Sequence, residues 1–227
     1  RVGVEVGGTF TDLVAIGPSG VQIVKVPSVP ASPDEGAFNA LIESGISFET
    51  IEDLAHGATV ATNSVIERKG YPIAFVTTRG FKDILALQRH NRNNIYDLAY
   101  QKPLPVVDRK NSFEVDERIL PDGTVATGLD SVAVARDLVP LLSDGGYAAI
   151  AVCLLNAYAN PEHEASLREL FTCHLPEVLV TLPSEVTREF REFERASTTT
   201  LSAYVQPVIR RRPIACGKAA SARRSSI

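Results

Sequence analysis

The chain lacks any apolar run approaching the length of a membrane span, and no basic-then-apolar leader opens it, so neither a membrane nor secretion is expected. Cysteine is scarce. Cys153, Cys173 and Cys216 are far apart, odd in number and free of metal-ligand spacing, which argues against a disulfide scaffold and fits a reducing cytoplasm. The 4 histidines form no His-x3-His pair, so a zinc site is not expected. No Gly-x4-Gly-Lys-Ser/Thr occurs, which removes the commonest phosphate loop. Acidic residues stop at Glu194, while Arg195, Arg210, Arg211, Arg212, Lys218, Arg223 and Arg224 follow. With a net charge of −4 overall and +7 in that stretch, the rest carries −11. A nucleic-acid arm is not the reading, because the segment from Arg210 is rich in Ala, Ser and Arg and poor in aliphatics, the composition of disorder. What remains is ordinary: 227 residues, 44% apolar and 22% charged, enough for one large domain or two small ones.

The informative stretch is the first, Val2-Gly3-Val4-Glu5-Val6-Gly7-Gly8-Thr9-Phe10-Thr11-Asp12. Val2, Val4 and Val6 fall on one face at period two, and Phe10 opens a second apolar run through Ile16. Gly7-Gly8 suits a tight hairpin, on the expectation that the turn needs positive φ. Two glycines also leave backbone N–H groups uncovered, and Thr9 and Thr11 set hydroxyls beside them. Glu5 and Asp12 offer carboxylates to a hydrated Mg²⁺. A plain hairpin with a polar tip is the competing reading. As a pattern the stretch resembles the first phosphate loop of the actin, hexokinase and Hsp70 class of ATPases, Asp-x-Gly-Gly-Thr-x-Thr-Asp, with Glu5 in place of the first Asp.

Further along, Val21 to Val26 alternates as a third strand of a meander. Ser32-Pro33-Asp34-Glu35 reads as a capping box opening a helix that Gly45 closes. The segment from Leu54 through His56 to Asn63 runs from a short strand into a polar loop and a helix ending at Gly70. Its hydroxyls, imidazole and amide (His56, Thr59, Thr62, Asn63) gather near a helix N-terminus, either as anion ligands or merely as caps. Residues 72–78 form a buried strand, followed by a helix with Ile84, Leu85 and Leu87. Residues 88–108 are irregular and hold Arg89 and Arg92. A hairpin is expected over 113–126, a helix over 131–143, and a central parallel strand over 148–155. A helix from Pro161 to Phe171 and a strand over 178–181 complete a doubly wound α/β pattern. The last segment, 188–204, alternates Arg and Glu as a solvated, ion-paired helix face. Its threonine run implies a kink or a packing partner outside the chain.

Six motifs recur together in one known family. They are Gly7-Gly8-Thr9-Phe10-Thr11-Asp12, His56-Gly57-Ala58-Thr59-Val60-Ala61-Thr62-Asn63, Glu67-Arg68-Lys69-Gly70, Thr77-Thr78-Arg79-Gly80-Phe81, Asn160-Pro161-Glu162-His163-Glu164, and Ser184-Glu185-Val186 followed by Arg191-Glu192-Phe193-Glu194-Arg195 with Ser197-Thr198-Thr199. In order and spacing they resemble the hydantoinase A and 5-oxoprolinase family, which includes N-methylhydantoinase and acetone carboxylase subunits. The likeness covers roughly residues 1–209.

That resemblance implies an α/β, actin/hexokinase-like (ribonuclease H-like) mixed sheet with helices on both faces, first lobe only. It divides the chain into an ATPase-like lobe over 1–186, the helical start of the following domain over 187–209, and an aberrant or disordered tail over 210–227. It implies ATP and Mg²⁺ as cofactors, with Gly7, Gly8, Thr9 and Thr11 cradling phosphates, Glu5 and Asp12 holding the metal, and His56, Thr59 and Asn63 as catalytic residues. The implied substrate is a hydantoin, 5-oxoproline or ketone, whose oxygen is phosphorylated before ring opening or carboxylation. A hydantoinase B-type subunit or a missing C-terminal half is the expected partner, because the family's second phosphate loop does not occur; the chain is then expected to be inactive alone. A small-molecule or sugar kinase and a non-catalytic assembly module are the alternatives.

Overall fold

A computed structural model describes residues 1–18, 20–29, 32–89, 94–187 and 189–210. Arg92 and the basic tail beyond Arg210 lie outside the described residues, as does Ser19 of the second turn. The chain divides into two compact units, one holding Arg1–Glu67 and the other Arg68–Pro207.

The first unit is built on the valine alternation. Strand β1 (Val2–Val6) pairs antiparallel with β2 (Phe10–Gly17), which pairs antiparallel with β3 (Gly20–Pro27). Strand β4 (Leu54–Ala58) then adds parallel to β1, giving the order β3-β2-β1-β4. Helix α1 (Pro33–Ser44) crosses one face and shuts the core of Val2, Val4, Val6, Leu13, Ala15, Ala40 and Leu41. Gly45 ends it in the left-handed region at φ 67°, as the C-cap signal requires. The N-terminal cap differs from expectation: Ser32 makes no capping bond, because its hydroxyl donates to Asp34 instead. The opposite sheet face carries Phe10, Val14, Ile16, Val21 and Ile23 exposed. Helix α2 (Val60–Ile66) follows β4 and stops short of the expected end at Gly70.

The second unit has its own sheet, and this corrects the single doubly wound sheet. Strands β5 (Ile73–Thr78), β6 (Ser112–Val115), β9 (Ala149–Cys153) and β10 (Leu179–Thr181) run parallel in the order β10-β9-β5-β6. β9 is interior and wholly buried, as its unbroken apolar run predicts. The hairpin expected over 113–126 divides. Residues 112–115 join the parallel sheet, while β7 (Arg118–Ile119) and β8 (Val125–Thr127) form a separate antiparallel pair around Gly123, at φ 86°. Between β5 and β6 the described residues form the short helix α3 (Ile84–Leu87) and, just before β6, a 3-10 turn at Arg109–Asn111.

The helix expected over 131–143 is two helices, α4 (Ser131–Asp137) and α5 (Val139–Asp144). Pro140 in the first turn of α5 has no N–H for the preceding turn, so the chain restarts at Leu138. Asp130 caps α4, its Oδ1 accepting from the Val132 and Ala133 N–H groups, each at 3.0 Å. Helix α6 (Glu162–His174) buries Leu167 and Phe171 against the core of Val76, Leu142, Ile150, Val152 and Leu154. After the short α7 (Pro183–Val186), helix α8 (Glu192–Arg210) is the last element among the described residues.

The reading of α8 as a solvated face is overturned. Arg195, Ala196, Thr199, Thr200, Ala203 and Tyr204 are buried, a stripe at helical spacing made mostly of small side chains. Within this unit the Tyr204 hydroxyl accepts from the Gly70 N–H at 2.7 Å, and the Thr181 hydroxyl donates to Gln206. Thr199 and Thr200 are thus buried within the chain rather than against an outside partner, although the Thr200 hydroxyl has no hydrogen-bond partner among the described residues. Thr199 also returns its hydroxyl to the Arg195 carbonyl at 2.7 Å, the usual way a buried helical threonine is satisfied. Glu194 does form an ion pair, with Arg89.

Candidate functional site

The elbow between β1 and β2 has an open tip: Gly8, Thr9 and Phe10 are exposed and Gly7 is half-buried. Val6 pairs with Thr11, and the Gly7 N–H donates to the Phe10 carbonyl at 3.0 Å. The Thr9 carbonyl accepts from the Ser28 N–H at 2.9 Å, tying the tip to the end of β3. Neither glycine lies in the left-handed region, contrary to the expectation that positive φ selects them. Room selects them instead. A Cβ on Gly7 would stand 2.8 Å from the Phe10 carbonyl oxygen, and one on Gly8 would stand 3.1 Å from the Asn63 amide nitrogen.

That second distance joins two of the sequence-predicted groups. The start of α2 lies against the elbow, because the Thr59 N–H donates to the Val6 carbonyl at 3.2 Å. The Asn63 amide donates to the Thr59 hydroxyl at 3.3 Å. Gly7, Gly8, Thr9, Thr59 and Asn63 thus form one cluster of backbone and side-chain polar groups around an open turn.

The other predicted residues are placed differently. Thr11 is fully buried, its hydroxyl bonded to that of Ser28 at 2.9 Å, and a Cβ on Gly36 of α1 would come within 2.8 Å of it. It braces the elbow from below rather than presenting a free donor. Glu5 and Asp12 are register partners and so share a sheet face, where two like charges directly opposite repel. Each leans away. Asp12 pairs with Lys25 at 2.7 Å, and Lys25 also lies 5.0 Å above the Phe10 ring. Glu5 reaches across to β4, its Oε2 only 2.0 Å from where a Gly57 Cβ would be. His56 pairs in register with Val4, which puts it on the face opposite to Glu5, at an exposed position of β4.

A hydrated Mg²⁺ needs one or two carboxylates plus phosphate oxygens. Glu5 and Asp12 supply that donor number on one face, and the glycine at position 57 leaves the space in which Glu5 lies. The Asp12–Lys25 pair is surface-exposed and worth little, so a metal could displace it.

A second polar cluster lies wholly in the second unit. Thr78 donates to Glu117, whose other oxygen is bonded to His163 Nδ1 at 2.7 Å, with both side chains buried. Next to His163 in sequence, Glu164 accepts from the Leu154 N–H at 2.9 Å. Burial pushes its carboxyl up to about 7, against the opposing pull of that hydrogen bond and of the Arg195 charge. Arg195 is buried, donating to the Leu154 and Glu189 carbonyls and to the Cys153 sulfur. Burial likewise raises the Cys153 thiol, to about 12, so it is inert. The charge-rich sequence over 188–195 reads as solvent-facing helix, and nothing local marks Glu164 as buried; the signal available was the pair of motifs themselves.

Residues 1–175 match the model for the hydantoinase/oxoprolinase N-terminal region. The chain belongs to this family. It is 37% identical over 214 residues to an uncharacterised protein of Methanocaldococcus jannaschii, an alignment spanning 92% of the chain and 31% of that protein. It is 33% identical over 228 residues to the acetophenone carboxylase gamma subunit of Aromatoleum aromaticum, over 90% of the chain and 31% of the subunit. The crystal structure of the ATP-dependent caprolactamase from Pseudomonas jessenii superposes with a TM-score of 0.80 at 28% identity, over 93% of the chain and 32% of the caprolactamase chain. The hydantoinase/oxoprolinase chain thus spans about a third of the length of these relatives.

Proposed function

We propose that this hydantoinase/oxoprolinase-family chain contributes the phosphate-holding lobe of an ATP-dependent enzyme acting on a small cyclic amide or ketone. The observation that carries the reading is the open elbow at Gly7-Gly8-Thr9, where a Cβ on Gly7 would stand 2.8 Å from the Phe10 carbonyl oxygen and the Asn63 amide lies close beside Gly8. Support comes from the relatives, an ATP-dependent caprolactamase and a carboxylase subunit for a ketone. An unactivated amide or ketone resists attack, and a phosphorylated oxygen becomes a leaving group. Catalysis of the phosphoryl step is then mainly positioning and charge neutralisation.

In this reading the N–H groups of Gly8 and Thr9 and the Asn63 amide meet phosphate oxygens. Thr59 orients Asn63, and Thr11 holds the elbow from within. Mg²⁺, when bound, neutralises phosphate charge, with Glu5 and Asp12 as its protein ligands after Lys25 is displaced. His56, on the other sheet face, does not belong to this cluster. The β3-β2-β1-β4 order, an antiparallel meander followed by a parallel strand, supports an actin/hexokinase-like first lobe. The remaining walls of the nucleotide site come from the additional length that the relatives carry, or from a separate subunit.

The test is titration of the chain into ATP·Mg²⁺ observed by ³¹P NMR. Saturable broadening in the millimolar range (about 4 kcal/mol of binding) is expected, and Gly8→Val should abolish it by filling the elbow. Identical phosphate spectra for wild type and Gly8→Val would refute the assignment.

A further inference from the structure

The proposed phosphate elbow sits in a unit whose charge works against it. Residues 1–67 carry nine aspartates and glutamates against two cations, Arg1 and Lys25, a net charge of −7. A polyphosphate approaching Gly7-Gly8-Thr9 meets that negative field before it meets the uncovered N–H groups. One of the two cations is too far away to help. Arg1 pairs with Asp53 at 3.0 Å, at the end of β1 remote from the elbow, and the five residues of that strand span about 17 Å.

Lys25 is placed differently. It stands opposite Asp12 in the β2–β3 register, and its Nζ lies 2.7 Å from Asp12 Oδ1 and 5.0 Å from the centre of the Phe10 ring. Phe10 belongs to the exposed elbow, so the ammonium already leans toward the tip. More than half of the lysine side chain is exposed, and its flexible four-carbon stem lets the charge travel. Asp12 thus has two competing uses, as the ion-pair partner of Lys25 and as one of two carboxylates on the face that suits a divalent cation. An ammonium and a dication on one carboxylate repel each other. Once Asp12 ligates the dication, Lys25 loses its partner beside the elbow, where phosphate oxygens are the natural replacement. The exposed ion pair is weak, whereas lysine binds phosphate oxygens through charge-assisted hydrogen bonds, so the exchange runs in that direction. We propose that Lys25 is a phosphate ligand of this lobe, restrained by Asp12 and released when that carboxylate takes a divalent cation, so that metal and phosphate each strengthen the other's binding. The inference rests on the reading of the elbow as a phosphate site and adds the residue that brings positive charge to it.

The test uses the full chain as wild type, Asp12→Asn, Lys25→Met and the double variant. Pyrophosphate without metal is titrated into each and followed by the ¹H–¹⁵N shifts of the Gly8 and Thr9 amides. Asparagine keeps the shape of Asp12 and removes its hold on Lys25. Asp12→Asn should therefore tighten pyrophosphate binding about tenfold when Lys25 is present. In the Lys25→Met background only the loss of one negative charge remains, and the gain should fall to about twofold. Mn²⁺ alone, read from the electron paramagnetic resonance signal of the free ion, should bind Lys25→Met about threefold or more tighter than wild type, because the competitor for Asp12 is gone. Equal gains from Asp12→Asn in the two backgrounds would overturn the proposal and leave the elbow reading standing, as would a Mn²⁺ affinity that Lys25→Met leaves unchanged. Gly8 and Thr9 amides unmoved by pyrophosphate in all four proteins would instead overturn the phosphate reading, and this proposal with it.

Discussion

Replacing Glu164 with glutamine tests whether desolvation or the nearby guanidinium governs that carboxyl. The side chain is buried, and its pKa moves from an ordinary 4.5 to about 7, with burial the largest cause and the Leu154 N–H and the Arg195 charge opposing it. The folded state therefore holds its proton more tightly than the unfolded chain. Stability from this group is fully present below pH 4.5, is lost as pH rises, and levels off above about pH 7. At 1.36 kcal/mol per pK unit, the shift corresponds to about 3 kcal/mol. Glutamine keeps the shape and the oxygen that accepts the Leu154 N–H, and it has no charge to desolvate. Urea denaturation followed by far-ultraviolet circular dichroism at pH 5, 6, 7 and 8 should show variant and wild type nearly equal at the acid end. The variant should gain stability progressively, by up to about 3 kcal/mol, at the alkaline end. Other titrating groups cancel in the difference. A difference that does not change with pH would refute the reasoning. One that falls as pH rises would show that Arg195 holds the carboxylate ionised.

Two glycine substitutions with similar built-in clashes should diverge. At Gly57 a new Cβ would meet the Glu5 carboxylate at 2.0 Å, the exposed end of a flexible side chain, so Gly57→Ala should change stability by less than about 1 kcal/mol. At Gly70 the new Cβ would stand 2.1 Å from Cζ of the buried Tyr204 ring, which also binds the Gly70 N–H. Gly70→Ala should therefore cost about 1–3 kcal/mol or more in the same denaturation assay. Tyr204→Phe, which loses only the hydroxyl, should cost about 1 kcal/mol.

Much of the fold was legible wherever one periodicity dominated. The valines of β1, the alternation of β3 and the unbroken apolar run of β9 each fix a strand, because burial on one face or both leaves no other pattern. The meander around the elbow followed directly. What escaped is set by tertiary partners. Nothing local tells residues 112–115 to pair in parallel with β5 while residues 118–119 turn away. Pro140 was visible, yet a proline near a helix start and one that restarts a helix look alike without the packing. The largest miss was Arg195, whose neighbours Arg191, Glu192 and Glu194 made its segment read as solvated, and with it the inward-facing Glu164, for which the sequence offered no burial signal. Only contacts distant in sequence, to Leu154 and Cys153, reveal that the charges point inward. At the candidate nucleotide site Gly8 and Asn63 lie together because β4 pairs with β1 and delivers the start of α2 to the elbow, a pairing no local pattern announces. The same reading could not see that Thr11 faces down into the core or that Asp12 has Lys25 opposite.

One consequence follows from the exposed side of the first sheet, where Val14, Ile16, Val21 and Ile23 stand beside one another on β2 and β3. A greasy plate of this kind is uncommon on a free-standing monomer and promotes self-association. Purified by itself, the chain should sediment with an average mass that climbs with concentration, and lysines placed at Ile16 and Ile23 should hold it monodisperse without disturbing the α1 side.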